Sequence, residues 1–229
     1  MRVLLTRPEA DARRSAARLT ALGHEVVLAP LFEIVATGAQ QPDGPFDRLL
    51  ATSAHAFEAL PIGVDDLKSR LLDVVGDRTA AVARDSGFTQ IGVAALDAKS
   101  LAIAIVREGR QRRAFLYLAG RERRPDLEAS LAALGHKVTP WILYETREAE
   151  NATARLCEIW REQRIDAVLH FSPRSAALYV ALAEKAGLRE QAMAPVQVAI
   201  SPRAAQSLAG AREVRIATTP DFEGLLSCL

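Results

Sequence analysis

The turns that follow the short apolar runs of this sequence carry a recurring set of hydroxyl and guanidinium residues: Thr6-Arg7, Thr52-Ser53, Gly76 to Thr79, Arg121, Ser172 to Ser175 and Ser201 to Arg203. Ser or Thr at such a place caps the following helix, contributing about 1 kcal/mol each, and capping is the default reading of any one of them. As a set they can do more. Free N–H groups at helix starts attract anions, and guanidinium groups grip carboxylates in a bidentate fork. Arg7, Arg121, Arg123, Arg124, Arg174 and Arg203 all fall in or beside these turns, with solvated surface charge favoured for Arg123 and Arg174. The candidate anion-binding residues are therefore Arg7, Thr52, Ser53, Gly76, Thr79, Arg121, Ser172, Ser175 and Ser201. Tyr144 stands apart, in a segment that interrupts the pattern. Its phenol could donate a proton while its ring packs on a flat ligand. A purely packing role is equally open.

Other chemistries lack their signatures. No GxGxxG follows the first apolar run, and no phosphate loop or GxSxG elbow occurs, so dinucleotide, nucleoside triphosphate and hydrolase readings have no motif. Of the four histidines, His24 and His136 occupy the same post-glycine turn position, while His55 and His170 are isolated. No metal site is expected, and all four read as structural. Cys157 and Cys228 lie in no CxxC context and read as reduced thiols, which points to the cytoplasm.

The elements that must position the turns repeat along the chain. Ala21-Leu-Gly-His-Glu-Val26 recurs as Ala133-Leu-Gly-His-Lys-Val138. Before each copy stand an apolar strand (Val3 to Leu5; Ala114 to Leu118), an arginine turn (Arg7; Arg121) and an amphipathic helix (Ala12, Ala16, Leu19, Leu22; Leu127, Leu131, Leu134). The helical spacing buries one face, and the glycine suits a left-handed stop after it. Asp47 to Ser53, followed by an alanine-rich helix, matches Asp166 to Ser172 with its own helix; Val74 to Ala80 matches Ala199 to Ala205, and Ile91 to Leu101 matches Val214 to Leu225. The chain reads as a duplicated α/β unit. Alternation of strands and helices predicts two small doubly wound parallel sheets of the flavodoxin type, with ligands beyond the carboxyl ends of the strands.

Two connectors break the pattern at equivalent places, Pro30 to Val35 and Trp141 to Thr146. If both carry the chain between domains, residues 1–35 join 149–229 in a discontinuous first domain, and 38–144 form the second. Independent folding of each tandem half is the alternative.

Over 229 residues, 49% hydrophobic and 25% charged side chains describe an ordinary globular chain. The net charge of +1 removes the electrostatic basis for nucleic-acid binding. No apolar run approaches the roughly 20 residues of a membrane span, and the start lacks an export signal. The expectation is a monomer that engages neither nucleic acid nor membrane.

Six segments taken together resemble the uroporphyrinogen-III synthase family: Val3 to Pro8, Leu22 to Pro30, Ala51 to Phe57, Val75 to Ala80, Leu143 to Thr146 and Phe171 to Ser175, in the family's order along the whole chain. The resemblance implies two α/β domains, the first built from both chain ends, joined by a two-stranded connector with the active site in the cleft. It implies a cofactor-free lyase of tetrapyrrole and heme biosynthesis. Such an enzyme closes the linear hydroxymethylbilane into uroporphyrinogen III, with loss of water and inversion of the last pyrrole. Tyr144 matches the family's position for a general acid. Two departures stand out: Ser201-Pro-Arg-Ala204 replaces a Gly-Pro-Thr-Thr-like turn, and the asparagine common after Thr-Ser is replaced near His55. The competing class is a non-catalytic two-domain clamp that binds a small polyanionic ligand.

Overall fold

The computed structural model describes residues 1–109, 111–162 and 164–229. In chain order the strands are β1 (Arg2–Leu5), β2 (Glu25–Leu28), β3 (Phe32–Ala36), β4 (Arg48–Ala51), β5 (Leu72–Val75), β6 (Ile91–Ala95), β7 (Ala114–Gly120), β8 (Lys137–Glu148), β9 (Ala167–His170), β10 (Val196–Ala199) and β11 (Val214–Ile216). The α-helices are α1 (Glu9–Ala21), α2 (His55–Glu58), α3 (Asp77–Asp85), α4 (Ala98–Arg107), α5 (Asp126–Ala133), α6 (Ala152–Glu162), α7 (Pro173–Lys185), α8 (Arg189–Met193), α9 (Pro202–Ala205) and α10 (Phe222–Leu226).

The chain divides into two compact units: Met1–Glu33 with Arg147–Leu229, and Ile34–Thr146. The first holds a sheet of order β11-β10-β9-β1-β2, whose neighbours all run parallel. The second holds a sheet of order β3-β8-β7-β4-β5-β6, parallel from β8 through β6. Read from β2 and from β8, the two orders correspond strand for strand. The segments matched in the sequence fall on corresponding strands: β1 with β7, β2 with β8, β9 with β4, β10 with β5 and β11 with β6.

Both sheets are covered on two faces, which is why their strands are apolar runs rather than alternations. In β1, Leu4 packs in one cluster with Val168, Tyr179 and Ala199, while Val3 and Leu5 pack in another with Leu19, Leu169 and Val198. The second unit does the same, with Leu49, Ala51, Leu116 and Leu118 on one side and Leu50, Phe115, Tyr117 and Ala119 on the other. The repeated Leu-Gly-His is a helix stop in each copy. Gly23 (φ +82°) and Gly135 (φ +84°) take the left-handed turn, and His24 N and His136 N donate to the carbonyls of Leu19 and Leu131.

Two sequence expectations need correction. The alanine-rich helix expected after Ser53 is only the four residues of α2. Leu60 precedes Pro61, which disfavours a helical conformation at the residue before it, whereas its counterpart α7 runs on for 13 residues. The second connector is no separate segment either, for it is the far half of β8, a continuous strand of 12 residues. In the first copy, by contrast, β2 and β3 are distinct around Pro30. The chain passes between units within β3 and β8. Thr37 N donates to Leu143 O at 2.9 Å, and Trp141 Nε1 donates to Ala39 O at 2.9 Å.

Candidate functional site

In the second unit the carboxyl ends of β4, β5 and β7 carry most of the predicted residues, and β8 brings Tyr144 beside them. Along β8, Trp141 and Leu143 face one side as alternation requires, and Tyr144 joins the same apolar cluster as its neighbour Leu143. The cause is a register shift between Ala119 and Gly120 on β7, which places Tyr144 opposite Gly120. A bulge of this kind re-aims one side chain. Arg121 N donates to Tyr144 O at 2.8 Å and fixes the backbone there.

Tyr144 is 9% exposed. Burial pushes its pKa up, the carboxylates of Glu122 and Glu58 push the same way, and a hydrogen bond with Ser53 opposes them. Tyr144 therefore stays protonated at neutral pH and can act as a donor. Ser53 Oγ also accepts from His55 N at 3.3 Å. The His55 ring meets the Tyr144 ring edge-on, with centroids 5.8 Å apart, and its Nδ1 is 2.8 Å from Glu58 Oε2.

Thr52 lies one residue before this pair, but its hydroxyl is 2.6 Å from the phenol of buried Tyr117. Gly76 holds φ +87° at the start of α3, and Thr79 is buried one turn on. The Arg121 side chain is exposed and forms an ion pair with Glu145, Nε to Oε2 2.6 Å. Arg123, expected as solvated charge, is instead half-buried and paired with Glu128 at 2.5 Å. Arg124 lines a cavity of about 510 Å³ with Asp97, Lys99, Asp126 and Ser130, between the starts of α4 and α5.

The first unit carries the remaining candidates, again at strand ends. Arg7, after β1, donates to Ser15 Oγ at 3.0 Å and to Asp11 Oδ2 at 3.1 Å, and its guanidinium carbon lies 4.1 Å from the centre of the Phe171 ring. Ser172 Oγ caps α7 by accepting from Ser175 N at 3.0 Å, and Ser175 Oγ donates to Ser172 O at the same distance. Ser201 caps α9, accepting from Ala204 N at 3.3 Å. Arg174 is exposed, and its guanidinium carbon lies 4.5 Å from the centre of the Phe32 ring.

The structure thus places Tyr144, Thr52, Ser53, Gly76, Thr79 and Arg121 at strand ends of the second unit and Arg7, Ser172, Ser175 and Ser201 at strand ends of the first. It adds Glu58, Tyr117, Gly120 and Glu122, which the sequence reading passed over, and His55, which that reading took as structural. A histidine where the family commonly has asparagine was the one available signal for His55. Gly120 at a strand end could have signalled close approach of another group. Among the described residues no group of three His, Cys, Asp or Glu side chains could hold a metal ion, and no helix is long and apolar enough to cross a membrane.

Comparison with known proteins points one way. The family model described as uroporphyrinogen-III synthase HemD matches residues 13–227. Among solved structures, the fold resembles uroporphyrinogen-III synthetase from Helicobacter pylori, at 17% identity and TM-score 0.65 over 100% of this chain and 98% of that one. It also resembles a mutant uroporphyrinogen III synthase from Thermus thermophilus, at 17% identity and TM-score 0.55 over 100% of this chain and 96% of the other. No curated protein sequence gives a significant match.

Proposed function

The chain belongs to the uroporphyrinogen-III synthase family, and we propose that within it Tyr144 is the general acid that helps hydroxide leave hydroxymethylbilane. Members of the family close this linear tetrapyrrole into uroporphyrinogen III with inversion of the last pyrrole. The observation that carries the assignment is the buried phenol at the strand ends of the second unit, seated opposite Gly120, with burial raising its pKa. Transfer of the phenol proton to the terminal hydroxyl releases water and leaves a delocalised azafulvene cation. The closing pyrrole then loses its own proton, which restores the phenol, so the net change is loss of one water. Because the cation forms readily, the larger task is conformational: the protein must present the substituted carbon of the last ring and exclude simple head-to-tail closure.

The substrate carries acetate and propionate groups on every pyrrole. Arg7, Thr52, Ser53, Gly76, Thr79, Arg121, Ser172, Ser175 and Ser201 are proposed to receive them, through guanidinium groups, hydroxyls and helix-start N–H groups. Arg7 offers a guanidinium already oriented by Asp11 and Ser15. The hydroxyls of Ser172 and Ser201 are shared with their caps, so their contribution would come together with the N–H groups they organise. The same reading makes the protein a cytoplasmic monomer that works without a cofactor.

The test is turnover of hydroxymethylbilane generated in situ. Formation of isomer III above the spontaneous isomer I supports the reading. Isomer I alone, with the substrate bound, would support the non-catalytic clamp.

A further inference from the structure

The proposed role of Tyr144 requires that its phenol oxygen be held in one place, and two features lie against its ring. Ten glycines among the described residues have φ in the left-handed region that favours glycine, and Gly120 is not one of them. Its backbone would accept any residue, so its conformation does not account for it. The ring of Tyr144 does. A Cβ at position 120 would stand 2.5 Å from Tyr144 Cζ, 2.6 Å from Cε2 and 2.8 Å from the phenol oxygen. The clash falls on the hydroxyl-bearing end of the ring, so a side chain at 120 would move the oxygen that donates the proton. The register shift already fixes Gly120 opposite Tyr144, so the recess and its occupant are set by the same irregularity.

The second feature is His55, whose imidazole meets the ring edge-on and is tethered through Nδ1 to Glu58 three residues on, along α2. His55 N donates to Ser53 Oγ at 3.3 Å, which ties the backbone that carries the imidazole to the end of β4. We propose that Gly120 and the His55–Glu58 pair are positioning residues for Tyr144: the bare Cα of Gly120 leaves the recess in which the phenol lies, and the tethered imidazole closes its edge. The inference rests on the reading of Tyr144 as proton donor and assigns the residues that make it competent.

The test uses the full chain with its tyrosines labelled by carbon-13 at Cζ. It has three tyrosines, and the Tyr144 resonance is the one lost in Tyr144→Phe. In Gly120→Ala this resonance should shift and its titration midpoint should fall toward that of an ordinary tyrosine. The kcat for isomer III should drop about tenfold or more, with KM changed by less than about twofold. In the Tyr144→Phe background the same substitution should bring no further loss of rate, because it acts through the missing hydroxyl. His55→Ala and Glu58→Gln should also move the resonance, and these two decide the matter if Gly120→Ala does not fold. A resonance unmoved in Gly120→Ala and in His55→Ala overturns the proposal, as does an equal loss of rate from Gly120→Ala with and without the hydroxyl. A wild-type protein that makes only isomer I would remove the reading on which the inference rests, while the resonance would still decide whether these residues place the phenol.

Discussion

At Tyr144 three influences meet on one oxygen. Burial and two carboxylates raise the phenol's pKa, while Ser53 draws it the other way. A donor held in this way loses little when substrate arrives, because it is already desolvated and aimed. Tyr144→Phe keeps the ring against Gly120 and removes only the hydroxyl. Its kcat for isomer III should fall by roughly 10², the lower range for general acid catalysis, with the thermal midpoint nearly unchanged. A Phe variant as active per folded molecule as wild type would take Tyr144 off the catalytic path and leave the enzyme a conformational template. The phenol was legible only through the family resemblance. Composition and spacing left it balanced between chemistry and packing, since what distinguishes it is a one-residue register shift between β7 and β8, and a bulge leaves no mark in the pattern of apolar residues. Glu58 left no signal, and His55 left only the departure from the family's asparagine, because both are remote from Tyr144 in sequence.

The elements explain why the hydroxyl-bearing turns were easier to find than to assign. Ser172 and Ser201 follow buried strands and precede helices with proline at the first turn, and both accept from the N–H three residues on. That pattern is readable from sequence, but it is the pattern of a cap as much as of an anion site. Ser172→Ala separates the two uses. Loss of the cap should cost about 1 kcal/mol of stability, seen as a lower denaturation midpoint. A rise in KM beyond what the lost folded fraction explains would mark a carboxylate contact as well. An unchanged midpoint would show that the cap adds nothing to α7. At the end of β9, His170 is fully buried, its Nε2 2.8 Å from Gln197 Oε1, and burial lowers its pKa from 6.5 to about 4. Between these values the unfolded chain binds a proton that the folded one refuses, so stability is intact above pH 6.5 and falls as pH falls toward 4. From pH 7 to pH 5 this single group should account for about 2 kcal/mol. His170→Gln, which keeps a donor for Gln197, should lose correspondingly less stability over that interval in denaturant titrations. Parallel losses in wild type and variant would clear His170 of any part in acid sensitivity.

At the scale of the whole molecule, the repeated Leu-Gly-His was the most readable feature, because a left-handed glycine after a helix is a local requirement that tertiary context cannot replace. From it the paired strands could be aligned, and they occupy corresponding places in sheets of the same order. The shape of the crossings was less legible: one strand of 12 residues, β8, serves both as a member of the second sheet and as the path back to the first unit. Each unit has apolar clusters on both faces of its own sheet. In the discontinuous unit the two chain passages are tied by Ala149 N donating to Leu31 O at 2.9 Å. Residues 34–146 expressed alone, and residues 1–33 joined to 147–229 by a short flexible linker, should therefore each unfold cooperatively in denaturant. The proposed proton donor lies in the first of these polypeptides, while Arg7, Ser172, Ser175 and Ser201 lie in the second. Neither alone should yield isomer III above the spontaneous isomer I. Isomer III from residues 34–146 at the full-length rate would show that carboxylate binding by the discontinuous unit is dispensable, and would confine the whole reaction to the sheet that carries Tyr144.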